Sequence, residues 1–220
     1  MTVLLTGFQA YGGRGLNPAQ EIVQALDGSA VEGHTIRGCL LPVSAGQLTR
    51  ALDTAIGETE PQVVLSLGLW PGEAVIRLEH LAVNWADFEI PDNDGALLRR
   101  TPLAVAGPPA RWATLPVTAI VDALLQAGIP ARASTTAGTF LCNATLYTAL
   151  GLLAEAQPAP PCGFLHVPYL PQQIAMLLQE TRQQAQLECH QRADWASMAL
   201  DTMVEAVGIA LATTLTLNES

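Results

Sequence analysis

Apolar residues in this chain come in short runs bounded by glycine and proline, as at Val3–Leu5, Val63–Leu67 and Gly163–Val167. Runs of that length and completeness predict strands buried on both faces, as in a parallel sheet. Between them the period changes to that of helices. Pro18 opens a helix through Leu26, where its missing N–H costs nothing. Leu48, Ala51, Leu52 and Ala55 share one face of a helix over Ala45–Ile56. Leu146, Ala149, Leu150 and Leu153 do the same for Cys142–Ala156, and further helices are predicted at Thr118–Ala127 and Trp195–Leu215. Shorter strands are expected at Val3–Thr6, His34–Leu41 and Ala131–Ser134. Partial alternation over Ala74–Asn84 predicts one more, with Val75, Arg77, Glu79, Leu81 and Val83 on one side.

Alternating strands and helices imply a single α/β domain spanning residues 1–220, a three-layer sandwich with a twisted, mostly parallel sheet and helices on both faces. Ligands of such sheets sit in the loops after the carboxyl ends of the strands. The loops to search are therefore Gly7–Gly15, Gly68–Gly72, Thr135–Phe140 and Pro168–Pro171.

Composition removes several functions. The net charge is −10, against any nucleic-acid partner, since phosphate binding needs clustered cations. All ten basic residues are arginines, so Schiff-base chemistry, pyridoxal phosphate and the Walker-type phosphate loop lack their lysine. No uninterrupted apolar stretch is long enough for a membrane span, and the first residues lack the features of a secretory signal. A cytoplasmic protein with free thiols is the expectation. No cofactor or metal is expected: the four cysteines, Cys39, Cys142, Cys162 and Cys189, form no CxxC pair.

The loop Gly7–Gly15 follows a strand and precedes a helix but does not match G-x-G-x-x-G, and it reads as a tight βα turn. Its aromatic residues Phe8 and Tyr11, exposed by position, suit a pocket for a small flat ligand. Cys142 lies where a glycine-containing turn meets a helix, and the positive end of the helix dipole there is expected to lower its pKa. The same helix end offers unpaired N–H groups to an oxyanion. Cys39, Cys162 and Cys189 lack that setting. A thiolate needs a base, and of the four histidines His166 ends a buried strand on the ligand side, whereas His34 and His190 are expected to be exposed. Glu79 is too deep in an apolar strand to stay unpaired; its partner is either Arg77 on the same strand face or an imidazole.

These blocks together resemble the pyroglutamyl peptidase I enzymes, a family of cysteine peptidases. The likeness runs over Leu5-Thr6-Gly7-Phe8 with Gly12-Gly13 and Asn17-Pro18, and Leu81-Ala82-Val83-Asn84 with Ile90-Pro91-Asp92-Asn93. It continues in Ala137-Gly138-Thr139-Phe140 with Cys142-Asn143, and Gly163-Phe164 with His166-Val167-Pro168-Tyr169. The resemblance implies a phosphorylase/hydrolase-like fold and removal of an N-terminal pyroglutamyl residue from peptides through a thioester. It implies Cys142 as nucleophile, His166 as base and Glu79 as orienter. It also implies a ring pocket of Phe8, Tyr11, Phe140 and Leu141, with the backbone near Leu69 meeting the lactam amide, and a homo-oligomer, dimer or tetramer. The chain departs from the family pattern at Tyr11, usually Phe, and at His80 and Glu89, both usually Arg; the last two imply weaker stabilisation of an oxyanion or thiolate. Two other readings are a relative that binds pyroglutamyl peptides without cleaving them, and a phosphorylase or other hydrolase on a similar scaffold.

Overall fold

The structure, a computed structural model, describes residues 1–183 and 195–218. Its centre is a seven-stranded sheet. The strands are β1 (Thr2–Phe8), β2 (Ala30–Val31), β3 (His34–Leu41), β4 (Val63–Leu69), β5 (Ile76–Glu79), β8 (Ala131–Ser134) and β9 (Cys162–Val167), in the order β2-β3-β1-β4-β9-β5-β8. β3, β1, β4 and β9 run parallel. β5 then runs antiparallel to β9, with β8 parallel to β5. β6 (Leu81–Val83) and β7 (Ala110–Trp112) form a separate two-stranded sheet.

Alternation along the central strands divides the core. Val3, Leu5, Val63, Leu65, Leu67, Ile76, Leu78, Leu165 and Val167 point to the face covered by α1 (Pro18–Leu26), α3 (Val117–Gln126) and α6 (Leu200–Asn218). Leu4, Phe8, Val64 and Phe164 point to the other face, under α2 (Ala45–Thr59) and α4 (Leu141–Leu153). The layers and mostly parallel sheet agree with the sequence reading. α6 is long and apolar enough to cross a membrane by length and composition, yet Met203, Val207 and Leu211 are buried in the first core cluster.

Four differences stand out. The stretch read as one strand over Ala74–Asn84 breaks at His80: β5 ends at Glu79, and the chain leaves the main sheet to pair Ala82 with Arg111. The closing helix starts at Leu200 rather than Trp195, whose ring stacks on Tyr169 at 5.6 Å. α5 (Pro171–Gln183) was not anticipated; only Gln173 and Leu177 on it are buried, so it shows little apolar periodicity. His34 is buried rather than exposed, its Nδ1 2.8 Å from the Glu32 carbonyl oxygen. Cys189 and His190 lie outside the described residues.

One side chain couples α4 to the separate hairpin. Asn143 is fully buried; its Oδ1 accepts from the Val83 N–H (2.8 Å), and its Nδ2 donates to the carbonyls of Val83 (2.9 Å) and Trp85 (3.0 Å). Replacing it with alanine strips partners from backbone groups that burial denies to water, a loss of about 2–3 kcal/mol. Asn143→Ala is expected to lower the melting temperature by several degrees in a calorimetric scan.

Candidate active site

Register brings the first two candidate residues together. Across the antiparallel β5–β9 pair, Arg77 stands opposite His166 and Glu79 opposite Phe164. All four side chains share one sheet face, so Glu79 and His166 form a diagonal cross-strand pair. His166 Nδ1–H donates to Glu79 Oε1 at 2.8 Å, both residues being buried. That bond selects the tautomer with Nε2 free to accept. The imidazole is further held by the rings of Phe164 (centroids 4.8 Å) and Trp70 (4.9 Å, edge-on).

The alternatives for Glu79 are both realised. Arg77 Nε lies 3.2 Å from the same Oε1, at ion-pair distance without hydrogen-bond geometry. The Arg77 guanidinium also donates to Ser134 Oγ (2.7 Å) and the Thr136 carbonyl (2.8 Å), and it stacks on Trp70 at 3.7 Å. It thereby ties the His–Glu pair to the turn that leads into α4. Trp70 is a site residue that sequence reasoning missed, whereas Arg77 was singled out there only as a possible partner of Glu79 and not as an anchor of the turn before α4.

Cys142 comes from the opposite layer. Gly138, at φ +78°, turns the chain into α4 in a conformation that favours glycine. Phe140 is the N-cap and makes no side-chain cap bond. The first N–H groups of α4 therefore have no intrahelical acceptor, and the Cys142 N–H lies against its own sulfur. The sulfur sits directly over Gly68, the β4 residue in register with His166. A Cβ on Gly68 would stand 2.7 Å from Cys142 Sγ and 2.8 Å from the Phe164 ring. This close approach is the reason for glycine at position 68.

Electrostatics correct one expectation. Burial, and then the Glu79 carboxylate, push the Cys142 thiol up to about 12, and these outweigh the backbone N–H that favours the thiolate. Burial also lowers the pKa of His166, against the raising effect of Glu79. The resting pair is thus a thiol and a neutral imidazole. Cys162 is buried, its thiol likewise raised to about 12 by burial. Cys39 lines a larger groove between β3 and α2 that contains none of the site residues.

Phe8, Tyr11, Leu69, Phe140, Leu141 and Cys142 all line one small cavity of about 50 Å³, joined there by Asn17 and Val43. Phe8 is buried, not exposed as its loop position suggested, because it packs in the core beneath α2 and α4. Among the described residues no charged side chain faces this cavity. Cys142 also lines an adjoining cleft of about 320 Å³ with His166, Trp70, Glu89 and Ile90. His80 is elsewhere, its ring edge-on to Trp112 at 6.5 Å, so its departure from the family pattern does not touch the cleft. Among the described residues no group of three metal-ligating side chains comes together.

The sequence profile of pyroglutamyl peptidase matches residues 1–216. The chain belongs to this family. Among pyroglutamyl peptidase relatives, a pyrrolidone-carboxylate peptidase of Brevibacillus brevis is 38% identical over 97% of this chain and 93% of its own length. One from Escherichia fergusonii is 39% identical over 97% and 92%. The solved structure of a mutant pyrrolidone carboxyl peptidase from the hyperthermophile Pyrococcus furiosus superimposes with a TM-score of 0.90 at 34% identity, covering 99% of this chain and 100% of that one. The family has the fold described above.

Two measurements test this geometry. Alkylation of Cys142 by iodoacetamide in the free protein is expected to be slow at neutral pH and to climb steadily above pH ~9, following the thiolate fraction; a plateau reached by pH 7 would contradict the raised thiol pKa. Gly68→Ala should leave a folded protein whose Cys142 is displaced, with kcat reduced on the order of 10²-fold.

Proposed function

We propose that this chain hydrolyses the amide bond after an N-terminal pyroglutamyl residue, with Cys142 as nucleophile, His166 as general base and Glu79 as its orienting carboxylate. The observation that carries this reading is the position of Cys142 on the wall between a small cavity lined by uncharged residues and the cleft that holds His166. The acyl ring enters the first and the leaving peptide lies along the second.

Attack begins from neutral partners. Cys142 Sγ bonds the pyroglutamyl carbonyl carbon while its proton passes to His166 Nε2, and the imidazolium is stabilised by Glu79 at 2.8 Å. The oxyanion accepts from the Cys142 N–H and its free neighbours in the first turn of α4. Collapse expels the amine, which takes the proton from His166, and leaves a thioester. Water then attacks with the same imidazole as base, and pyroglutamate and the free thiol are released.

Selectivity follows from the lining of the cavity. The lactam is small and uncharged, and the walls are Phe8, Val43, Phe140 and Leu141, with Leu69 bringing backbone polar groups for the lactam amide. Burial keeps the Tyr11 phenol protonated. An ordinary N-terminal ammonium or a glutamate carboxylate would lose water there without gaining a counter-charge.

Release of aminocoumarin from its pyroglutamyl amide is the direct assay. Cys142→Ala should reduce kcat on the order of 10⁴-fold or more, and Glu79→Gln by about 10²–10⁴-fold at little changed KM. Full activity in Cys142→Ala would remove the nucleophile from this reading. The low pKa of His166 sets the acidic limb: the base stays neutral above its folded pKa, so kcat/KM should fall only below pH 6.5.

A further inference from the structure

The segment joining β6 to β7 carries four carboxylates close in sequence, and three of them are engaged. Asp87 pairs with Arg99 at 3.8 Å. Asp92 accepts from the backbone N–H groups of Ala45, Asp94 and Ala96. Asp94 accepts from Ser44 Oγ (2.6 Å) and Gln47 Nε2 (3.0 Å). Glu89 takes part in none of the ion pairs among the described residues. It is exposed, and it lines the cleft that also contains Cys142 and His166.

Among the described residues no arginine lines that cleft. Arg77 is committed to Glu79 and the Thr136 turn, and Arg14 to Glu180 through two bonds of 3.0 and 2.9 Å. Glu89 is therefore a fixed negative charge at the mouth of a cleft whose other walls are largely apolar: Trp70, Pro71, Ile90 and Ala137. With the acyl ring in the small cavity beyond Cys142, the first residue of the leaving peptide must pass along these walls.

We infer that Glu89 is a specificity-determining residue, favouring pyroglutamyl peptides whose second residue is basic and disfavouring those whose second residue is acidic. This rests on the pyroglutamyl-peptidase reading. Trp70 and Ile90 offer an apolar track for the stem of a lysine or arginine, and the carboxylate meets its charged end. An exposed pair of this kind changes kcat/KM only about two- to fivefold. Attraction of a lysine and repulsion of a glutamate together give roughly a four- to 25-fold ratio at low salt, shrinking as ionic strength rises.

The test compares three dipeptide amides, pyroglutamyl-lysine, pyroglutamyl-alanine and pyroglutamyl-glutamate, by mass spectrometry of the released amino-acid amide at low and high salt. The lysine-to-glutamate ratio of kcat/KM is read within each protein, so any loss common to all substrates cancels. The wild type should prefer lysine, Glu89→Gln should bring the ratio close to one, and Glu89→Arg should invert it. Equal rates for the lysine and glutamate peptides in the wild type, or a ratio that Glu89→Gln leaves unchanged, overturn the inference. Failure of the wild type to cleave even the alanine peptide would instead overturn the reading of the reaction on which it rests.

Discussion

The site depends on the antiparallel pairing in the middle of a mostly parallel sheet, where β5 docks against β9. Had β5 run parallel to β9, a different register would have set the neighbours of His166. As it is, Glu79 lies diagonally across from His166 and Arg77 directly across, on one face. A buried carboxylate is costly unless paired, and here the cost is met on two sides, by an imidazole N–H at 2.8 Å and a guanidinium at 3.2 Å. Because Arg77 also holds Ser134 and the Thr136 carbonyl, the same ion pair anchors the turn before α4. The orientation of the imidazole and the entry of the helix bearing the thiol are thus fixed by a shared group.

The remaining constraint is the distance between layers. α4 rests on the sheet through Leu146, Ala149 and Leu150, and Asn143 ties its first turn to the β6 backbone. Cys142 Sγ can then sit over the sheet only where the sheet has no side chain, which is Gly68. Gly68 belongs to β4 and stands in register with His166 on β9. Sulfur and imidazole therefore line one cleft at a place defined by three strands and one helix, with the Trp70 ring after β4 as a further support of the imidazole.

Much of this was legible in the sequence. The short, almost wholly apolar runs identified β1, β4 and β9, and helical periodicity found α1, α2, α3 and α4 with small shifts at their ends. Cys142, His166 and Glu79 could be ranked because thiols, imidazoles and buried carboxylates are few in this chain. What sequence could not carry was pairing. The alternation is only partial, with apolar positions at Ile76 and Leu78 giving way to Leu81 and Val83 across His80, which interrupts the pattern without naming the new partner, and β7 is three residues after a proline-rich loop. The choice between Arg77 and an imidazole for Glu79 likewise needed the register, and the answer was both. Helix position suggested a lowered thiol pKa, but burial and the Glu79 carboxylate raise it by more than the backbone N–H lowers it.

That last balance bears on the chemistry. Burial acts on the thiol and the imidazole in opposite senses on the pKa scale but with one result, two neutral groups. A preformed thiolate–imidazolium pair would place charge beside a cavity suited to an uncharged lactam, and would do so before any substrate arrives. With neutral partners, charge develops only as sulfur attacks, where Glu79 faces the new imidazolium and the uncapped N–H groups of α4 face the new oxyanion. Dipoles already oriented in a site poor in water stabilise that charge without reorganising. Under the proposed mechanism the rate enhancement comes from interactions that strengthen in the transition state rather than from a nucleophile ionised at rest. An absence of lysine and a scarcity of free cations near the cleft are compatible with such a mechanism, because its positive ends are backbone N–H groups and a transient imidazolium.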